Sequence, residues 1–343
     1  MSPLDAAGEP LALLSVHAHP DDEASKGAGT VARYAAEGIR SVLVCCTGGE
    51  EGEILNPSVD TPEVREHLGE VRAAELQASV AAIGYSSLHL LGYRDSGMAG
   101  AESNQHPDCF AMAPLDEAVE RLVRIIRAER PQVIITYPDE QQWYAHPDHL
   151  RVHEISVPAF TAAGDPGQFP DAGPAWKPQK LYFSGFSFRR IVALHDAYVK
   201  LGEESPYAER IEKFPADAAH VAPSTLIDVG EYLHKRRAAL LAHRTQIDPD
   251  SHWMRVPDEL IREAYPWDEY ELARTLVDTG VPEGDCETDL FAGLRVHAGA
   301  RVGGLGGHGG LGGDGGRGGD GGLGGDGGLG GDGGLGGDGG DEA

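Results

Sequence analysis

The run Leu11-Ala12-Leu13-Leu14-Ser15-Val16 passes directly into His17-Ala18-His19-Pro20-Asp21-Asp22-Glu23, and this junction decides how the rest of the chain is read. A short apolar run closed by Pro and acids reads as a buried strand, here residues 11–17, meeting a loop. In open α/β sheets, ligands sit beyond the carboxyl ends of the strands, so a polar cluster at this point is well placed for chemistry. A second cluster, His146-Pro147-Asp148-His149, follows another apolar strand, Pro131 to Tyr137. Two His/Asp clusters, each after a strand, point to one divalent metal site assembled from two loops. Single His-Pro-Asp sequences make turns and N-caps, because Asp and Pro favour both. Two of them, both at strand ends, favour the site.

Working outward, Ser25 to Glu37 reads as a helix with a small-residue face, stopped by Gly38. Arg40 to Thr47 is an apolar strand, as a parallel sheet buried on both faces requires. The loop Gly48-Gly49-Glu50-Glu51-Gly52-Glu53 lacks the Lys-Ser/Thr or GxGxxG spacing of a phosphate cradle. Pro62 to Gly84 reads as a long helix, Leu88 to Leu91 as a strand ending in Gly92-Tyr93-Arg94-Asp95-Ser96-Gly97, and Pro114 to Glu129 as a strongly periodic helix. A helix from His149 to Ala163 follows the second cluster, then a strand at Lys180 to Ser184 and helices at 187–203, 229–245 and 257–277. Asp289 to Leu294 is a closing segment. This alternation predicts an α/β fold, a doubly wound, mostly parallel sheet with a C-terminal elaboration. The expected organisation is a loose N-terminus over 1–10, one domain over 11–296 and a tail over 297–343. From Gly303 to Gly340 the chain repeats Gly-Gly-x without proline, which disfavours a collagen helix and predicts a disordered tail.

The 343 residues carry a formal net charge of −27, a surface that repels phosphate backbones and anionic lipid and so argues against nucleic-acid or membrane partners. The four cysteines, Cys45, Cys46, Cys109 and Cys286, make no CxxC spacing and no disulfide framework. With no signal-like or membrane-spanning apolar run, a cytoplasmic protein is expected.

Catalytic zinc-type sites use about three protein ligands and keep a position for water. His19, Asp22 and His149 supply such a set and leave Asp21 beside the metal without being on it. That is the arrangement metal-assisted amide hydrolysis needs, with a carboxylate to take the proton of water and return it to the amine. His146 is placed to donate to a developing oxyanion, and Asp148 to orient either a ligand or His146. His17 reads as a strand-end packing residue, His153 as a surface helix residue, and His308 as irrelevant. His243, in Ala242-His243-Arg244-Thr245-Gln246, suits capping as well as function.

These residues resemble the PIG-L/LmbE-like metal-dependent deacetylase superfamily, whose marks are His19-Pro20-Asp21-Asp22-Glu23 and His146-Pro147-Asp148-His149. Longer strings narrow the resemblance to mycothiol S-conjugate amidases of actinobacteria: Thr47 to Pro57, Arg94 to Met98, Arg151 to Val157, His243 to Pro249 and Glu269 to Arg274. It extends over roughly residues 10–294. The resemblance implies a Rossmann-like fold with zinc, or ferrous iron in the cell, on His19, Asp22 and His149. It implies Asp21 as general base and acid, with His146 and Tyr144 at the oxyanion. Glu53, Arg72 and Asp95 would hold inositol and sugar hydroxyls. Lys26 stands where the amidases carry Lys and the related deacetylases a small polar residue. One departure is Gln141-Gln142-Trp143-Tyr144, bulky where the family carries a Gly-Gly pair before the Tyr.

The expected activity is hydrolysis of a mycothiol S-conjugate, a small-molecule thiol conjugate, between N-acetylcysteine and glucosamine. The alternatives are the deacetylase of N-acetylglucosaminyl-inositol and a relative acting on a conjugate in a natural-product pathway. A Rossmann-like binding module without catalysis is disfavoured by the complete ligand set and the missing dinucleotide fingerprint.

Overall fold

Strand β1 (Ala12–His17) is buried along its whole length, and its side chains alternate between two cores. Leu13, with Leu11 just before the strand, packs in one core; Leu14 and Val16 pack in the other. That two-sided burial is why the run contains almost no polar residue. The computed structural model describes residues 2–139, 146–212, 223–251 and 254–295. The Gly-rich tail and the Gln141-to-Tyr144 stretch lie outside the described residues.

In chain order the elements are β1, α1 (Asp22–Ser25), α2 (Ala28–Ala36), β2 (Arg40–Thr47), α3 (Pro62–Glu66), α4 (Leu68–Ile83), β3 (Ser87–Tyr93), α5 (Leu115–Glu129), β4 (Val133–Thr136) and α6 (Pro147–Ala162). They continue with β5 (Lys180–Gly185), α7 (Phe188–Leu201), α8 (Ala208–Glu212), β6 (Thr225–Asp228), α9 (Leu233–Ala242), α10 (Asp258–Ala264) and β7 (Trp267–Thr275). The strands form one sheet in the order β3-β2-β1-β4-β5-β7-β6. The pairs from β3 to β5 are parallel; β7 runs antiparallel to both β5 and β6.

Helices cover both faces. Val31 and Tyr34 of α2, Leu76, Val80 and Ile83 of α4 and Ala239 of α9 pack with Leu13 and Leu43. Val119, Leu122 and Ile126 of α5 and Val152 and Ile155 of α6 pack with Leu14, Val44 and Ile134. Each fully buried Leu or Ile in these layers contributes about 1.5–3 kcal/mol. The sheet is doubly wound and mostly parallel, as its pattern predicts. After β1 the chain moves to β2 on one side; β4 lies on the other. The carboxyl ends of β1 and β4 therefore flank the topological switch point, where open α/β sheets bind ligands.

Several expected elements differ in extent. The helix expected over 25–37 is split into α1 and α2 at Gly27, which adopts φ 92°; a Cβ there would come within 3.0 Å of the Tyr270 hydroxyl. The helix over 62–84 is split at His67, where φ is −116° and ψ 28°. The largest correction is 257–277, read as a helix: only α10 is helical, and 267–275 is strand β7. Asp268, Tyr270 and Leu272 alternate at the strand period. Asp268 Oδ2 accepts from Thr30 N (3.0 Å) and Oγ1 (2.9 Å) on α2, and Tyr270 Oη bonds Thr30 Oγ1 at 2.8 Å. Glu, Leu, Ala and Arg in this segment favour a helix locally, and the edge of β5 overrides that preference. Strand β6, which the pattern did not announce, pairs outside β7. At the other end of the described chain, Leu4 bridges Pro10 and Asp5 bridges Arg295.

Candidate metal centre

The loop after β1 turns back on itself within four residues. Asp22 Oδ2 accepts the His19 backbone N–H at 2.9 Å, so the ligand-type carboxylate also closes the turn. Asp21 adopts φ 120°, outside the ordinary range for a residue with a side chain. Such conformations cost about 1–3 kcal/mol and persist where the surroundings over-determine them. After β4, His146 is the N-cap of α6 and Pro147 fills its first turn. The His146 Nδ1 accepts the Asp148 N–H at 3.2 Å, which leaves its neutral Nε2 as the N–H donor. The end of β3 delivers Asp95 and Ser96.

These three loop ends meet. Two buried donor groups, His19/Asp22/His149 and His19/Asp95/His146/Asp148, each gather ligand atoms within 4.8 Å of one another. His19 Nδ1 lies 3.4 Å and His149 Nε2 3.3 Å from the same oxygen, Asp22 Oδ2. Around a four-coordinate tetrahedral ion with bonds of about 2.0–2.1 Å, neighbouring donors sit about 3.3 Å apart. Two imidazole nitrogens at that spacing from one carboxylate oxygen, all three within 4.8 Å of one another, fit a divalent metal ion. The other face of His19 is held from behind, with Nε2 at 3.2 Å from Asp148 Oδ2 and 3.6 Å from Asp95 Oδ1. Asp148 is itself held by Ser96, through N–H (2.9 Å) and Oγ. Such a carboxylate–histidine pair fixes the ring orientation and raises its basicity as a ligand.

The electrostatics agree. Burial alone would lower the pKa of His19, but hydrogen bonds to Asp148, Asp22 and Asp95 raise it well above the ordinary value. The three carboxylates thus favour the charged form of His19, whereas burial lowers the pKa of His149. Burial opposes ionisation of Asp22, and Lys26 with His149 nonetheless holds its carboxyl well below the usual range. Burial and the neighbouring His19 lower His146 to about 4. Burial raises Asp21 to about 6, against the pull of Arg72.

Residues 14–160 match the family described as PIG-L, GlcNAc-PI de-N-acetylase. The mycothiol S-conjugate amidase of Streptomyces coelicolor is 43% identical over 295 residues, 84% of this chain and 99% of that protein. This chain belongs to the PIG-L family. A second relative, the 1D-myo-inositol 2-acetamido-2-deoxy-alpha-D-glucopyranoside deacetylase of Geodermatophilus obscurus, is 39% identical over 290 residues, covering 82% of this chain and 97% of the relative. Among solved structures, the N,N'-diacetylchitobiose deacetylase of Pyrococcus horikoshii superposes with a TM-score of 0.54 at 17% identity, over 76% of this chain and 83% of that one, a likeness of fold. The family is one of deacetylases and amidases, and the doubly wound sheet of this chain is its architecture.

Within this PIG-L chain, the residues singled out from sequence fall into two sets. His19 is shared by two clusters, one with Asp22 and His149 and one with Asp95, His146 and Asp148, and Asp21 precedes Asp22 in the chain without joining either. Lys26, just after α1, reaches Asp22, its Nζ 2.5 Å from Asp22 Oδ1 and 5.6 Å from the centre of the Tyr137 ring. Arg72 is buried, and the contacts of its guanidinium run to the loops themselves: Pro20 O at 2.5 Å, Gly49 O at 2.7 Å and Asp21 Oδ2 at 2.9 Å. Glu53 lies apart, lining a surface cavity with Gly52, Ile54, Asp60, Arg65 and Leu68. Tyr144 lies outside the described residues. His17 is a buried strand-end packing residue, with Nδ1 2.8 Å from Tyr137 Oη, whereas His153, expected at the surface, is half-buried with Nδ1 2.9 Å from Tyr137 O. Sequence reasoning passed over Tyr137, Ser96 and Glu23. Ser96 sits inside a string already quoted, and Glu23 ends the first cluster, so position was the available signal. Among the described residues no helix is long and apolar enough to cross a membrane.

Proposed function

We propose that this chain hydrolyses the amide bond of mycothiol S-conjugates, giving a mercapturic acid and glucosaminyl-inositol, with zinc or ferrous iron held by His19, Asp22 and His149. The reading of the reaction rests on Asp21. It adjoins the donor groups without belonging to either, its side chain keeps 30% of its surface open, and Arg72 fixes one oxygen. A divalent ion bound there supplies Lewis-acid activation of water and of the amide carbonyl.

The remaining work falls to the chain. Asp21 accepts the proton of the attacking water and returns it to the departing amine, so one carboxylate serves as base and then acid. His146, neutral with Nε2 as its N–H donor, donates to the carbonyl oxygen as negative charge grows on it. Asp148 and Ser96 hold His19 in one rotamer and tautomer throughout. Lys26 offsets the charge of Asp22 at the edge of the site. Glu53 and Asp95 are assigned to sugar and inositol hydroxyls, and Tyr144 to the oxyanion beside His146. Arg72 is assigned to those hydroxyls too, and the contacts described above give it a second task, holding Asp21.

Support for the substrate comes from the 43% identity with the Streptomyces amidase across 99% of its length and from Lys26 at the cluster. The 39% identity with the Geodermatophilus deacetylase favours a second reading, removal of acetate from N-acetylglucosaminyl-inositol. The two are separated by the purified protein's turnover of a bimane conjugate of mycothiol and of the acetylated sugar, before and after chelation and zinc restoration. Chelator-sensitive, zinc-restored cleavage favouring the conjugate is expected; faster turnover of the acetylated sugar transfers the assignment to the deacetylase.

A further inference from the structure

His243 lies 220 positions from the first cluster in sequence, yet its Nε2 is 2.6 Å from Glu23 Oε1, with both side chains fully buried. Ser79 Oγ of α4 donates to the same oxygen. The other oxygen, Glu23 Oε2, accepts the Asp21 backbone N–H at 3.0 Å. Glu23 thus has one oxygen committed to the scaffold and the other to the residue whose backbone is held at φ 120°. We propose that the Glu23–His243 pair is a positioning device for Asp21, with His243 setting the Glu23 carboxylate that pins the strained turn.

The string around His243 is built for this. Thr245 N and Oγ1 donate to Glu75 Oε1 (2.8 Å) and Oε2 (2.6 Å) of α4, and Leu55 N donates to Thr245 O at 2.8 Å. Gln246 Nε2 donates to Glu53 O at 3.1 Å. The turn after α9 is therefore clasped to α4 and to the loop after β2 by bonds that do not involve the imidazole. Removing the ring leaves the clasp and releases Glu23. Arg72 fixes the Asp21 side chain and Glu23 its backbone, so the carboxylate is held at both ends. Carboxylate, imidazole and hydroxyl here are enclosed, so they act on substrate only through Asp21. This inference rests on the proposed role of Asp21 as base.

The test uses full-length, zinc-loaded protein and the bimane conjugate, with kcat, KM and metal per chain measured for His243→Leu, His243→Gln and Asp21→Ala. His243→Leu is expected to lower kcat by about 10- to 100-fold, the scale of a displacement of about 1 Å at the reacting group. KM should stay within about twofold, and metal at one per chain. His243→Gln, which offers an N–H near the position of Nε2, should recover most of that loss. A purely structural role would lower folded protein and metal together and leave kcat per loaded molecule unchanged; that result overturns the proposal, as does a Gln variant no better than Leu. Should His243→Leu not fold, Ser79→Ala removes the smaller donor to the same oxygen, and an unchanged kcat there overturns the proposal. Activity retained in Asp21→Ala would instead remove the reading of Asp21 as base, whatever the His243 variants do.

Discussion

Asp21→Asn separates proton transfer from every other role of this position. Asn keeps the volume and an acceptor for Arg72, and it tolerates positive φ better than most residues with side chains. Arg72 keeps Pro20 O and Gly49 O as acceptors. What is lost is the charge on a bond at 2.9 Å to a carboxylate that is 30% exposed, worth about 1 kcal/mol once solvent screening is counted. Burial opposes that same charge and outweighs Arg72, the Asp21 carboxyl standing at about 6, so neutral Asn should leave Tm at neutral pH unlowered. Loss of a general base costs about 10²–10⁴ in rate, or about 2.7–5.4 kcal/mol of barrier at 1.36 kcal/mol per tenfold. The ligand-type atoms of His19, Asp22 and His149 are untouched. Expected, therefore, is a folded protein with one metal per chain and kcat on the bimane conjugate reduced by two to four orders of magnitude. Elemental analysis and fluorescence turnover on the same sample check it. Metal lost in step with activity would make Asp21 a ligand, and turnover within tenfold of wild type would show that it transfers no proton; either result refutes the reasoning.

His149→Ala should lose metal directly, read by dialysis against a chelator of known affinity. Asp148→Asn should keep the metal but weaken it by about 10- to 100-fold, because the orienting partner of His19 is impaired; unchanged affinity would mean Asp148 does not support the ligand. Gly49→Ala should lower both kcat and Tm, since Gly49 has φ 71° and an added Cβ would fall 2.3 Å from Arg72 Nη1; a wild-type kcat would mean Arg72 need not hold Asp21. Burial pushes Glu129 upward, but hydrogen bonds from His89 and Arg40 outweigh it and keep its carboxyl below the ordinary 4.5. Its folded-state pKa is depressed, so its contribution is complete above the unfolded value and lost as pH falls through the folded one. Glu129→Gln should accordingly flatten the acid side of the Tm-against-pH curve, and an acid limb as steep as wild type would contradict this.

The doubly wound sheet was legible because β1, β2 and β4 must be apolar on both faces, and their interruption by amphipathic helices leaves few alternatives. The candidate metal cluster was legible for a related reason. His19, Asp22 and His149 are short-range features of two loops, and strand ends at a switch point bring such loops together. Tertiary contacts decided the rest. Trp267 to Thr275 carries a helix-favouring composition and becomes a strand only because β5 offers an unpaired edge and Thr30 a partner for Asp268 and Tyr270. Asp148 could have oriented either histidine; only the packing of α6 against β1 turns it to His19 Nε2. Arg72, singled out in the sequence only by the resemblance and there for substrate hydroxyls, gains its task of holding Asp21 by lying beneath two glycines that leave room for a guanidinium. His243 meets Glu23 across 220 residues, and nothing in local spacing encodes such a pairing. Periodicity reports which face of an element is buried, whereas the partner of a buried charge depends on which distant element closes over it.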